Sequence, residues 1–271
     1  MEYLDSEVDA ALLQYVERED LLKYFNTEER ENINKDVSYT SAEFGVRAKV
    51  AFPPDLEDLV FLHQTVRNRK CFTVLEFGLG FSTFIMADAL LKNKLDFEAL
   101  SEKPHIRCQT KFELHTVDAE SSWITLCRER LSKCPELADI ITFHFSGVTA
   151  TTFNDRICHL YDKLPNIVPD FIYLDAPGTD SVKSSVHGME FEQCSDRTVM
   201  SADICLMEPI LLPGCYIVVD GRTNNARFIR NNLQRSWTYQ FNQKRDISIF
   251  ELKEEPLGML NKNMLVYCGL I

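Results

Sequence analysis

The chain has 271 residues, 45% of them hydrophobic, enough to bury one large α/β core with additions. Its 41 Asp and Glu against 29 Lys and Arg give a formal net charge of −12. With no dense Lys/Arg run to offset it, that charge argues against nucleic-acid or anionic-membrane partners.

Nine scattered cysteines form no C-x-x-C pair, so a zinc framework is not expected. They read as small buried thiols in a reducing compartment. The N-terminus MEYLDSEVDA is acidic and carries no apolar signal core. No apolar run reaches the ~18 residues of a membrane span. A cytoplasmic location is therefore expected.

No internal repeat or low-complexity linker interrupts the chain. Residues 5–33 predict helix, with Val8, Leu12, Leu13, Val16, Leu21, Leu22 and Phe25 spaced by threes and fours. A polar connection, NTEERENINKDVSYTSAEFG, follows. FPPDLEDLVFLHQTVRNRK restarts a helix, with Pro54 in its first turn, acids after it and Arg/Lys at its end.

Strand and helix then alternate. CFTVLEF is a strand and STFIMADALLKNK a helix with Ser82 as N-cap. FELHTVD is a strand and SSWITLCRERLSK a helix. DIITFHFSG is a strand, TTFNDRICHLYDKL a helix and PDFIYLDA a strand. A long polar stretch, 177–197, precedes the helix TVMSADICLMEPILL. GCYIVVDG is a strand and NNARFIRNNLQRS a helix; WTYQFNQ and ISIFELK are strands joined by KRD. Strands separated by helices predict a parallel sheet covered on both faces, and the closing pair predicts an antiparallel edge hairpin. The stretch at about 92–111 is longer than a strand-helix unit needs and reads as an insertion over one edge or an extended helix.

VLEFGLGFST (74–83) is the most informative run. In an open α/β sheet the ligand binds beyond the carboxyl ends of the strands, over the first strand-to-helix turn. Gly78 and Gly80 remove side chains there, so a ligand can reach the backbone. Glu76, at the end of the strand, would repel a diphosphate and attract an ammonium or sulfonium. The third glycine of the dinucleotide fingerprint is absent, with Ser82 and Thr83 at that place. Asp118 closes the second strand, where a carboxylate accepts hydrogen bonds from ribose hydroxyls. Asp175 ends the fourth strand on the same rim. Phe145–Gly147, at the end of the third, could flank a base.

VLEFGLGFST, HTVDAE, HFSG, DFIYLDA and GCYIVVDG together resemble the ordered motifs of class I S-adenosylmethionine-dependent methyltransferases, over roughly residues 52–253. The resemblance implies an α/β fold, a doubly wound Rossmann-like sheet of seven mostly parallel strands with the last antiparallel. It implies S-adenosylmethionine as cofactor. Glu76, Phe77, Gly78, Gly80 and Ser82 would line its methionine end, Asp118 and Ala119 its ribose, and Ser146 and Gly147 its adenine, with Asp175 facing it. The fourth-strand motif reads LDAPG, not the Asn/Asp-Pro-Pro-aromatic run of enzymes that methylate exocyclic amines of nucleobases. The third-strand motif lacks the acid often found near the adenine amino group. The motifs look most similar to small-molecule O-methyltransferases, including those acting on sugars or natural products.

Two residues are candidates for the proton-accepting group of such a transfer. Asp175 lies at the rim, and His187 lies in the polar stretch, where an imidazole can accept a proton near neutrality. Asp175 and Asp220 could share a divalent ion with Asn224 or Asn225. The run DGR (220–222) lacks the adjacent amide ligand of metal-dependent relatives, so no metal is expected, and Arg222 could bind a substrate carboxylate or phosphate instead. Residues 1–51 read as a helical cover and 52–271 as the cofactor domain; whether the cover is a lid or the contact of a homo-oligomer stays open. An NAD(P)-dependent oxidoreductase and a non-catalytic binding module are the competing readings.

Overall fold

The structure, a computed structural model, describes residues 6–34, 52–194 and 196–271. Residues 35–51, most of the expected polar connection, lie outside them. Helix α1 (Ser6–Arg18) ends before Asp20, which adopts a left-handed conformation (φ 54). A 3-10 turn over Leu21–Tyr24 follows, and α2 (Thr27–Glu31) restarts from Asn26, whose side chain accepts from Glu29 N at 2.9 Å. The single helix expected over 5–33 is thus three pieces. The break turns Leu21, Tyr24 and Phe25 inward beside Val16, and all four are buried. That apolar burial outweighs the continuity of one helix. Helix α3 (Leu56–Asn68) opens two residues after Pro54, which therefore precedes its first turn: Asp55 is its cap, accepting from Glu57 N at 2.8 Å.

From there β1 (Thr73–Phe77), α4 (Phe81–Glu98), β2 (Glu113–Asp118), α5 (Ser121–Leu131) and β3 (Ile141–Phe145) alternate as the sequence predicts. The helix expected at 151–164 is instead a hairpin of β4 (Val148–Phe153) and β5 (Arg156–Tyr161). Asn154 and Asp155 form its two-residue turn, both at positive φ (49 and 59). Such a turn matches the twist of the paired strands and favours these two residue types. Next come β6 (Phe171–Leu174), β7 (Val182–Lys183), α6 (Asp203–Met207), β8 (Tyr216–Asp220) and α7 (Thr223–Asn232). The chain closes with β9 (Trp237–Asn242), β10 (Ile247–Leu252) and α8 (Gly258–Cys268). Helix α6 is shorter than expected. Residues before it run beside β5, with His159 bridged to Ser201, and Pro209 draws the following residues into a 3-10 turn.

The main sheet has the order β3-β2-β1-β6-β8-β10-β9. Its first five strands are parallel, and β10 runs antiparallel to both β8 and β9. This is the doubly wound Rossmann-like arrangement with the expected edge hairpin. One apolar core lies between the sheet and the layer of α1, α3 and α4; the other lies under the small sheet β5-β4-β7 and α6 and α7. The described N-terminal residues belong to the first core. Tyr24 Oη donates to Asp88 at 2.7 Å, Tyr15 Oη meets His63 Nδ1 at 2.7 Å, and the Phe25 and Phe81 rings lie 5.2 Å apart.

Register sets the functional rim. Phe77 pairs with Val117 on one side and Leu174 on the other, and Leu174 pairs with Val219. Glu76, Asp118, Asp175 and Asp220 therefore emerge at one edge of the sheet. The insertion lies at the opposite end. Helix α4 extends to Glu98, and the remaining residues pass under the start of β1, where Thr73 Oγ1 donates to Thr110 O at 2.6 Å and Phe72, Phe97, Phe112 and Tyr267 cluster. The long interval from Glu76 to Asp118 thus leaves the rim register unchanged.

Candidate functional site

The turn between β1 and α4 is built on two glycines for different reasons. Gly78 has φ +100, and a Cβ on it would meet Ala176 Cβ at 3.0 Å, so the turn packs on the chain leaving β6. A Cβ on Gly80 would meet nothing within 4 Å. That open cradle faces the N-terminus of α4, where backbone N–H groups and the helix dipole favour ligand oxygens. Gly80, not Ser82, is the cap residue of α4.

Ser82 is instead committed inward. Its Oγ donates to Glu76 Oε1 at 2.5 Å, and Thr83 Oγ1 donates to Oε2 at 2.7 Å. Glu76 is buried, and burial raises its carboxyl to about 8 against the pull of these hydroxyls. Phe77, between Glu76 and the glycine turn, is buried in the core.

Asp118 is buried at the end of β2. Glu120 N donates to its Oδ1 at 2.6 Å, and the Ala119 N–H also solvates it. Burial nonetheless raises this carboxyl to about 6. Ser146 joins three strand ends: its N donates to Asp118 O at 3.0 Å, and its Oγ accepts from Lys163 N at 2.8 Å. A Cβ on Gly147 would meet Asp162 Oδ2 at 2.5 Å. The third strand does have a neighbouring acid, then, but it arrives from the end of β5. The sequence reading missed Asp162 because it placed that segment in a helix.

Asp175 follows β6, more than half exposed. Arg222 faces it, with Nε 3.6 Å from Oδ1, one Nη donating to Pro177 O at 2.8 Å and the other to Asp175 O. Desolvation raises Asp175, Arg222 opposes the rise, and Asp220 adds to it, giving a value of about 7; solvent contact weakens the effect. The groups named as possible co-ligands of Asp175 each make a hydrogen bond with another residue. Tyr173 Oη donates to Asp220 Oδ2 at 2.5 Å, the Asn225 amide brackets the backbone of Ser201, and Asn224 Nδ2 donates to Thr198 Oγ1 at 2.7 Å. Among the described residues no group of three or more His, Cys, Asp or Glu could hold a metal ion.

The small sheet covers the second face just behind this rim. Tyr161 packs on Phe77, with ring centroids 5.5 Å apart, and His159 lies two residues earlier on the same strand face. His187 is exposed at the left-handed tip (φ 52) of the Val186–Met189 turn beyond β7. Among the described residues no hydrogen bond joins it to Glu76, Asp118 or Asp175. The structure thus brings Glu76, Gly78, Gly80, Asp118, Ser146, Gly147 and Asp175 to one end of the sheet, while His187 lies in an exposed turn. Among the described residues no helix is long and apolar enough to cross a membrane, and all nine cysteines are unpaired.

No protein-family model matches the sequence, and no curated protein does. Solved structures similar to it include an SAH-bound methyltransferase of Podospora anserina, 13% identical, with 94% of this chain and 98% of that one covered and a TM-score of 0.48. The O-methyltransferase TomG of Streptomyces achromogenes, involved in tomaymycin synthesis and solved with SAM, is 15% identical over 74% of this chain and 81% of that one, at a TM-score of 0.40. An O-methyltransferase of Bacillus cereus in complex with SAH is 14% identical over 89% and 91%, at 0.38.

Proposed function

We propose that the chain is an S-adenosylmethionine-dependent methyltransferase that methylates an oxygen of a small hydroxylated acceptor. The supporting observation is the open cradle at Gly80, flanked on one rim by Asp118 and Asp175 and underlain by Glu76. Residues Gly78–Ser82 would receive the amino-acid end, Asp118 the ribose hydroxyls, and Ser146 and Gly147 the adenine. A cation above Glu76 would favour its ionised form, which burial now disfavours.

When bound, S-adenosylmethionine supplies an electrophilic methyl on a sulfonium, so the protein's main task is to align an acceptor oxygen. Asp175 is the proposed proton acceptor. It stands at the rim with a carboxyl raised toward neutrality, the range in which a carboxylate works as a general base. His187, the second candidate, lies at an exposed turn tip and would need its segment to fold over the rim. Asp220 Oδ2 accepts from Tyr173 and Asn225 brackets Ser201, and the proposal is made without a metal.

The test is the melting temperature of the purified protein with S-adenosylmethionine, S-adenosylhomocysteine or NAD. A ligand at ~100 times its dissociation constant stabilises the native state by about 2.7 kcal/mol. A rise with the first two and none with NAD is expected. A folded sample that responds to neither adenosyl ligand would refute the proposal.

A further inference from the structure

Among the described residues, three buried side-chain polar atoms lack a hydrogen-bond partner: Tyr161 Oη, His159 Nδ1 and Arg222 Nε. Native structures hold few such atoms, because each loses its hydration without replacement. Here all three can donate. Met200 N donates to His159 Nε2 at 3.0 Å, so that nitrogen is an acceptor and the proton of the neutral ring sits on Nδ1. Burial, with Arg222 nearby, lowers His159 to about 3, which keeps it neutral. Burial and the charges of Asp118 and Asp203 push the Tyr161 hydroxyl well above its usual range, so it keeps its proton. Arg222 Nε is 3.6 Å from Asp175 Oδ1, an ion pair too long for a hydrogen bond.

The three also share a place. Arg222 caps the start of α7, where Asn225 brackets the backbone of Ser201, and Ser201 is bridged to His159, so the Arg222 turn lies beside β5. Tyr161 and His159 project from one face of β5, with Tyr161 against Phe77 behind the glycine turn. Two of these groups, His159 Nδ1–H and Arg222 Nε–H, can only donate, and the Tyr161 hydroxyl can donate as well, so the set favours a ligand rich in acceptor oxygens.

We propose that Tyr161, His159 and Arg222 form a subsite for a carboxylate of a ligand bound over the Gly78–Gly80 turn. This rests on the methyltransferase reading for which ligand carries the group: the methyl acceptor or the amino-acid end of the cofactor. The small sheet then has a role beyond covering the second face, since β5 supplies two of the three donors.

The experiment compares wild type with Tyr161→Phe, which removes one oxygen and no packing. Calorimetry measures S-adenosylhomocysteine, 5′-methylthioadenosine (which lacks the amino-acid end) and benzoate or acetate, the last two with and without S-adenosylhomocysteine. The His159 Nδ1–H resonance, assigned by its loss in His159→Gln, reports on the subsite directly. Ligand-free Tyr161→Phe is expected to melt at or above wild type, because an unpartnered buried hydroxyl is lost.

If the acceptor carries the carboxylate, benzoate or acetate moves the resonance and binds about tenfold more weakly to Tyr161→Phe. If the cofactor carries it, S-adenosylhomocysteine moves the resonance and weakens about tenfold while 5′-methylthioadenosine is unchanged. Unchanged affinities for all probes, with a resonance that none of them moves, overturn the subsite. So does a ligand-free Tyr161→Phe that melts clearly below wild type, which would mean water already satisfies the hydroxyl. If no adenosyl ligand binds, the methyltransferase reading fails on its own, and the benzoate and acetate arms still decide the subsite.

Discussion

Asp118 and Asp175 lie on one rim, at the ends of the two strands that flank β1, yet their surroundings set them apart. Asp118 is buried and solvated by two backbone N–H groups, a fixed acceptor suited to holding hydroxyls. Replacing it with Ala should weaken S-adenosylhomocysteine binding about ten- to a hundredfold, from the ~1.5–3 kcal/mol of a hydrogen bond to a charged group. Calorimetry showing wild-type affinity would remove Asp118 from the ribose site. Asp175 is more exposed and is opposed by Arg222 at 3.6 Å, an arrangement that leaves it free to gain and lose a proton. With an acceptor in hand, Asp175→Asn should lower turnover ~10²–10⁴-fold, while cofactor affinity stays near wild type. The wild-type rate should rise with pH as the carboxyl ionises, above the ordinary carboxylate range because desolvation and Asp220 raise it and below about 7 because solvent weakens the effect. His187→Ala should leave the rate within a few-fold. If His187→Ala is the damaging change and Asp175→Asn is not, the turn beyond β7 closes over the rim and the assignment reverses.

Helix α4 shows how one element joins site and scaffold. Its residues Thr83–Leu90 are buried in an unbroken run, so it is covered on all sides. The sheet covers one side, and the N-terminal pieces and α3 cover the others. Asp88 sits in the middle of that run and must be satisfied there. It takes Tyr24 Oη at 2.7 Å, His63 Nε2 at 2.9 Å and Lys92 Nζ at 2.6 Å. Asp88→Asn should cost ~3–5 kcal/mol, because it leaves buried cationic and polar partners unmatched. It should also expose the first 34 residues to protease before the rest. Denaturant unfolding with a loss below ~1 kcal/mol would show that the packing of Leu21, Tyr24 and Phe25 alone holds the segment.

The same scale shows what could be read in advance. Parallel strands buried on both faces appear as apolar runs, and a carboxylate at the end of each marks the rim, so β1, β2, β6 and β8 and their acids were legible. The hairpin was not. On a helix, His159 and Tyr161 project about 200° apart; on a strand they share a face. Only the Asn154–Asp155 turn, read as a two-residue hairpin loop, separates the two cases. Helix α8 was missed for another reason. Its sequence, GMLNKNMLVYC, has no acidic first turn, and its place is set by packing of Met264 and Cys268 into the core that the sheet lines.

Over the whole molecule, two sets of carboxyl groups oppose each other in their dependence on pH. Glu76 rises to about 8, and Asp118, Asp170 and Asp203 rise to about 6, each through burial first. The folded chain keeps protons there that the unfolded chain has released. Their contribution is fully present below the unfolded values of ~4 and is lost as pH rises through 6 to 8. Asp88 is the reverse. Burial raises it, but His63, Lys92 and Tyr24 together hold it well below its usual range, so its contribution is lost as pH falls below ~4. Glu29 and Glu251 are lowered too, their Arg130 and Lys253/Arg69 partners outweighing burial. The ligand-free protein should therefore be most stable between about pH 4.5 and 6, and weaker at pH 8 by roughly 2–5 kcal/mol. The net charge of −12 acts in the same direction, since each proton gained relieves self-repulsion. Glu76→Gln should flatten the slope between pH 6 and 8 more than a change at Asp118, Asp170 or Asp203, because Glu76 is raised the furthest of the four. A cationic cofactor should do the same in wild type, by stabilising the ionised carboxylate and thus binding more tightly as pH rises. Denaturant midpoints at pH 5.5 and 8 decide the matter. Equal midpoints, or a higher one at pH 8 without ligand, would mean that water reaches Glu76 in solution and that the charge beneath the glycine turn is already present before any ligand arrives.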